Sequence, residues 1–115
     1  MKKINRLLKN RDFKAVLDFK KSVANKEYVM YVSKNDLGHV RVGISVSSKI
    51  GNSVIRHRIK RQINEMLKDS IDVNESFDLV IIVRNKYLFN DYNENKKMVN
   101  VLLSKIRKEN NLWKK

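Results

Sequence analysis

Val40-Arg41-Val42-Gly43-Ile44-Ser45-Val46-Ser47-Ser48-Lys49-Ile50-Gly51-Asn52-Ser53-Val54-Ile55-Arg56-His57-Arg58-Ile59-Lys60-Arg61 changes its period halfway along, and that change decides the fold. From His39 to Ser47 the chain alternates, with Val40, Val42, Ile44 and Val46 on one face. Arg41, Gly43, Ser45 and Ser47 fall on the other. A period of two describes a strand with one face turned to a core and one accessible. After the Gly51-Asn52 turn the period becomes helical and runs to about Lys68, with Ile55, Ile59, Ile63 and Met66 as the apolar arc. His57, Arg61, Asn64 and Lys68 lie nearly opposite that arc. Arg56 and Lys60 flank one of its edges and Arg58 the other.

The charge on this helix breaks a local rule. Free N–H groups leave partial positive charge at a helix start, which favours acids there and disfavours cations by roughly 0.3–1 kcal/mol each. Here Arg56, Arg58, Lys60 and Arg61 crowd the first turns, and no acid occurs between Asp36 and Glu65. An ordinary solvated face mixes both signs to form i,i+4 pairs. A breach repeated four times points to a polyanionic partner that compensates it. Arginine suits phosphate in particular, because its planar fork donates two hydrogen bonds at once.

Outward from this core, Phe77 to Val83 is a nearly continuous apolar run. It reads as a central strand covered on at least one face. Met98, Leu102 and Ile106, widened by Val99 and Leu103, mark a last helix over roughly Glu94 to Lys108. Upstream, Phe13, Val16 and Leu17 stripe a first helix from about Arg11 to Phe19, with Asn10 as its N-cap. Ser22 to Asn25 offers a short extra strand before Glu27 to Ser33. Residues 34–38 carry turn chemistry. The order is α-β-β-(β)-α-β-α. Strand-helix-strand from Val40 to Val83 implies a parallel pair, and the remaining strands read as a hairpin. The expected class is α+β, a small mixed sheet with packed helices, in one domain over residues 1–115.

Composition narrows the partner. The chain of 115 residues carries 26 Lys and Arg against 12 Asp and Glu, a formal charge of +14, yet is 42% hydrophobic. That is apolar content for a core, together with self-repulsion that a use must justify. Nucleic acid leads and an anionic membrane surface follows. There is no cysteine, which excludes disulfides, thiolate zinc sites and thiol nucleophiles. The opening Met1 to Lys9 has the charge of a signal peptide without its apolar stretch, and the longest apolar run, Leu79 to Val83, is too short to span a bilayer. A soluble cytoplasmic protein is the expectation.

No constellation for catalysis stands out. His39 and His57 lack metal-ligand spacing, so no metal site is expected. Asp69, Asp72, Glu75 and Asp78 surround a loop and read as solubilising charge. Tyr28 and Tyr31 fall on opposite faces of their strand, so at most one can face a groove. A helix carrying Phe13 laid over the open sheet face would leave a cleft where unpaired bases stack. The chain reads as a binder. An autonomous nuclease lacks its acid-base or metal set, and a ribosomal or ribosome-assembly RNA-binding protein remains the alternative.

The segment from Arg41 to Ser47 followed by Lys49 to Arg61 resembles the protein subunit of bacterial ribonuclease P, with its strand and arginine-rich helix at the same spacing. Asn10-Arg11-Asp12-Phe13, Ser22-Val23-Ala24-Asn25 and a strand ending before Arg84 extend the likeness from Arg6 to Arg107. The resemblance implies a fold like the second domain of ribosomal protein S5 with a left-handed strand-helix-strand crossover, where handedness rules alone predict a right-handed one. It implies a partner role in removing the 5′ leader from precursor tRNA, with catalysis by a separate RNA subunit that uses Mg2+. By position it implies that Lys49, Asn52, Arg56, His57, Arg58, Lys60 and Arg61 contact RNA. Phe13, Leu17, Ser22, Val29 and Tyr31 are implied to line a cleft for the leader. This chain departs from the family pattern at His57, usually Asn, at Ser48, commonly Lys, and at Asn64, often Arg. Leu17 stands where a second cleft aromatic is frequent, which shifts stacking onto Phe13 and Tyr31.

Overall fold

The computed structural model describes Lys2 and residues 5–110; residues 1, 3, 4 and 111–115, among them part of the charged opening segment, lie outside the described residues. In order come α1 (Asn10–Asp18), β1 (Ser22–Ala24), β2 (Tyr28–Lys34), β3 (Arg41–Ser45), α2 (Ser53–Lys68), β4 (Phe77–Val83), a 3-10 turn (Asn85–Phe89) and α3 (Tyr92–Asn110). The strands form one mixed sheet in the order β1-β2-β4-β3. This is the α+β class that the alternation of periods implied.

Strand β4 runs parallel to β3, with Val42 opposite Leu79, and antiparallel to β2, with Met30 opposite Ile81. The parallel pair is joined through α2, as the change of period required. The second pairing corrects the sequence reading: residues 34–38 do not fold β3 back onto β2, because β4 is inserted between them. A strand apolar on both faces loses least at the centre, where both backbone edges are paired and both faces are covered. The hairpin is instead β1 with β2, Ser22 opposite Tyr31. Its turn is held by Asn25, whose Oδ1 accepts from the N–H groups of Glu27 (3.1 Å) and Tyr28 (2.9 Å).

One sheet face carries Tyr28, Met30, Val32, Val42, Leu79 and Ile81 against Ile59, Ile63 and Met66 of α2 and Val99, Leu102 and Ile106 of α3. Each such side chain contributes roughly 1.5–3 kcal/mol when fully buried. The other face packs α1, where Val16 is buried with Leu7 and Val80. Element ends differ from expectation for local reasons. Asn10 is the first residue of α1, and Lys9, extended and without a side-chain cap, precedes it. The Lys9 carbonyl accepts from Asp12 and Phe13, and Asp12 supplies first-turn negative charge instead of a cap. Strand β3 is shorter than the alternation, because Val40 N–H bonds the Val73 carbonyl and the Ser47 carbonyl accepts from Ile50. Helix α3 starts at Tyr92 because Asp91 Oδ1 accepts from Glu94 N–H at 2.8 Å.

Two features of this core make measurable predictions. Asn52 caps α2, its Oδ1 accepting from Ile55 N–H at 3.0 Å. Asn52→Ala is expected to cost about 1 kcal/mol, read as a lower urea midpoint. The second feature concerns buried phenols. Tyr28 Oη donates to the Asn95 carbonyl at 3.0 Å and Tyr87 Oη to Gln62 Oε1 at 2.7 Å. Burial pushes the Tyr87 phenol up from 10.0 to about 12, and Tyr28 higher still. The fold holds both neutral, so their contribution is complete below pH about 10 and is lost as pH rises toward the folded values. Urea midpoints at pH 8 and pH 11 should therefore differ, with the alkaline one lower.

Candidate nucleic-acid interface

Register places two rows of side chains across the α1 face of the sheet. Ser22, Tyr31, Val80 and Gly43 form one row, and Ala24, Val29, Ile82 and Ser45 form the next. Helix α1 sits on the first row: Val16 packs with Val80, and the Phe13 ring lies over Gly43. A Cβ on residue 43 would stand 2.4 Å from Phe13 Cζ, so this approach requires glycine. The second row is left uncovered, with Ala24 and Ser45 exposed and Val29 and Ile82 half-buried. A trough with an apolar floor results, walled on one side by α1.

All five side chains expected in a cleft meet on this face. Phe13, Leu17, Val29 and Tyr31 are half-buried and Ser22 is exposed at the β1 edge. Tyr28 points the other way and is wholly buried, as strand alternation required. Three floor residues escaped the sequence reading. Ser45 and Ala24 carry only the signal of alternation, and Ile82 sits in a continuous apolar run where no parity is visible. Gly43→Ala is expected to push Phe13 off the sheet and cost about 1–3 kcal/mol. Thermal unfolding, together with the aromatic proton shifts of Phe13, checks it.

The seat of α1 is fixed by an ion pair that the sequence reading missed. Asp78 is only 6% exposed and is not solubilising charge. Arg41 holds it through two bonds, Nε to Oδ1 at 2.9 Å and Nη2 to Oδ2 at 2.7 Å, and reaches Asp12 of α1 with Nη1 at 3.3 Å. Asn35 Nδ2 donates to the same Asp78 Oδ1 at 2.8 Å. The hydrogen bond and charge of Asp78, with Asp12 added, hold the Arg41 guanidinium above its ordinary pKa despite partial burial. The loop acids nearby are also engaged: Asp69 meets Lys96 at 3.3 Å and Glu75 meets Arg107 at 3.8 Å.

The basic residues of α2 and of the turn before it behave differently. Lys49, His57, Arg58, Lys60 and Arg61 are exposed, and among the described residues none of them makes an ion pair. Arg56 is half-buried and its Nε is enclosed without a hydrogen-bond partner. Asn52 is exposed and serves as the helix cap. His57, Lys60, Arg61 and Asn64 also line a groove of about 530 Å³ whose other wall includes Arg6, Leu8 and Phe13. The two expected residue sets therefore adjoin, with Phe13 common to the trough and to the groove beside α2. Chemically this arrangement can grip phosphates and stack bases. Among the described residues no three His, Asp or Glu side chains are grouped to hold a metal ion, and no helix is long and apolar enough to cross a membrane.

Known proteins share both sequence and shape with this chain. A family model described as Ribonuclease P matches residues 1–107. The ribonuclease P protein component of Mesoplasma florum is 40% identical over 94% of this chain and 100% of its own length. That of Streptococcus gordonii is 42% identical over 95% of this chain and 93% of its own. Among solved structures, an RNase P protein of Staphylococcus aureus superimposes with a TM-score of 0.82 at 31% identity, covering 95% of this chain and 97% of that one. The RNase P protein of Thermotoga maritima gives a TM-score of 0.71 at 30% identity over 84% and 94% of the two chains.

Proposed function

The chain belongs to the ribonuclease P protein family, and on that premise we propose that it is the protein subunit of the RNase P ribonucleoprotein, binding the RNase P RNA through α2 and the 5′ leader of precursor tRNA in the trough beside α1. It is part of an endoribonuclease without carrying the catalytic centre. Hydrolysis of the scissile phosphodiester belongs to the RNA subunit and its Mg2+ ions, whose charge stabilises that developing at phosphate. The protein's part is affinity and position: cations on α2 take up phosphates, and the apolar trough accepts unstacked bases, each worth about 1–3 kcal/mol. The reaction runs in the cytoplasm, where tRNA precursors are made.

The observation that carries this reading is the row of exposed cations on α2, without ion pairs among the described residues, adjoining a groove that leads to Phe13. A polyanion compensates a cationic surface of that kind, and a trough one helix away suits an unpaired strand. Reconstitution tests it. Precursor tRNA is incubated at limiting Mg2+ with the protein, with the RNA subunit, and with both. Cleavage should be strong only in the mixture. Cleavage by the protein alone would make it a nuclease in its own right, and no gain from the mixture would reduce it to a general RNA binder.

A further inference from the structure

Helix α2 has a second cationic edge, turned away from the trough. At 3.6 residues per turn, Arg58, Gln62 and Glu65 lie about 130° around the helix from His57, Lys60 and Asn64, with Arg61 on the crest between them. Arg58, Gln62, Tyr87, Leu88 and Tyr92 line a groove between α2 and the start of α3, and Arg61 and Glu65 continue it along α2. Neither Arg58 nor Arg61 has an ion-pair or hydrogen-bond partner among the described residues, while Glu65 is engaged by Lys68 at 3.3 Å.

Leu88, 44% exposed, and Asn90, at the end of the 3-10 turn, line the groove, and Phe89 between them stands outward at 79% exposure. These side chains are not displayed by a loose loop. On one side of them Tyr87 is buried, its ring edge-on to Tyr28 at 5.9 Å and its hydroxyl on Gln62. On the other side Asn90 Nδ2 donates to Glu27 Oε2 at 2.9 Å and to Asn95 Oδ1 at 3.1 Å, and Asn95 Nδ2 returns to the Tyr87 carbonyl at 3.0 Å. Glu27 and Asn95 are themselves buried. A network of buried polar groups thus fixes the turn that displays an apolar ring to water. Such rigidity lowers the entropy cost of binding, and its value lies in a partner for that ring.

We propose that this edge of α2 is a second nucleotide site, in which a base of an unpaired nucleotide in the RNase P RNA stacks on Phe89 while Arg58 takes its phosphate. The charge selects the ligand: an exposed ring on a turn whose flanking residues Leu88 and Asn90 share a groove with Arg58 fits a polyanion that itself carries flat apolar rings. The source is the catalytic RNA, because the helix separates this edge from the trough assigned to the leader. The inference rests on the RNA-binding role proposed above.

The test measures binding of the full-length protein to RNase P RNA alone, for the parent, Phe89→Ala and Phe89→Trp, with photo-crosslinking from p-benzoylphenylalanine at position 89 in the holoenzyme with precursor tRNA. Phe89→Ala should weaken binding roughly 5- to 100-fold, the range of one lost base stack, and Phe89→Trp should restore it. The crosslink should fall on the RNase P RNA. Both variants keep the buried network, so thermal unfolding near the parental temperature is expected. Parental affinity in Phe89→Ala overturns the site, as does a crosslink confined to the leader or to a second copy of the protein. Failure of the parent to bind RNase P RNA would overturn the proposed function itself, which separates the two results.

Discussion

Replacing Arg56, Arg58, Lys60 and Arg61 together with Gln is expected to weaken binding to RNase P RNA by about a hundred- to a thousandfold at physiological salt. A hydrogen bond from a charged donor is worth roughly 1.5–3 kcal/mol, and neighbouring interactions with one RNA do not add fully. The slope of log affinity against log salt should flatten by about three to four units, close to one for each phosphate no longer neutralised. Stability should move the other way. These side chains make no ion pair among the described residues, so nothing in the fold depends on their charge. A chain at +14 gains from less self-repulsion, and the thermal midpoint should hold or rise. Cleavage at saturating protein should recover much of the parental rate, as the proposed role of these cations in assembly requires. Unchanged affinity and slope would return α2 to an ordinary solvated surface.

The sequence disclosed more of the fold's local periods than of its pairings. The alternation in β3 and the helical arc of α2 set their faces correctly, and the apolar run of β4 marked the centre of the sheet. Strand neighbours were harder. A turn at residues 34–38 is equally compatible with a hairpin and with a chain that leaves room for β4, and only the burial of β4 on both faces separates the two. The site shows the same division. Phe13 and the α2 cations were legible because their residue types are unusual for their positions. Asp78 was not, because a carboxylate near loop acids reads as surface charge until its strand is placed beside β3, opposite Arg41. The buried network under Phe89 was equally silent, since Glu27, Asn90 and Asn95 come from three separate segments.

Arg41→Met should destabilise more than Asn52→Ala or Gly43→Ala, by about 3–5 kcal/mol, since it strands a buried carboxylate. Asp78 would keep one hydrogen bond, from Asn35, in a site only 6% exposed. Against a total stability of roughly 5–15 kcal/mol, such a loss leaves a large unfolded fraction in a domain at the lower end of that range. The double variant Arg41→Met with Asp78→Leu should recover most of it, because apolar residues of similar volume carry no desolvation penalty. Recovery of stability would not restore the trough. Asp12 on α1 has no Arg41 guanidinium to meet in the double variant, so the helix that carries Phe13 is tied to the sheet only by its apolar stripe. Urea unfolding of the three proteins gives the stability. Affinity for precursor over mature tRNA in the reconstituted holoenzyme gives the seat of α1, and should fall in both variants. A double variant stable yet still discriminating the leader would show that packing alone positions α1, leaving Arg41 a purely structural role within the sheet.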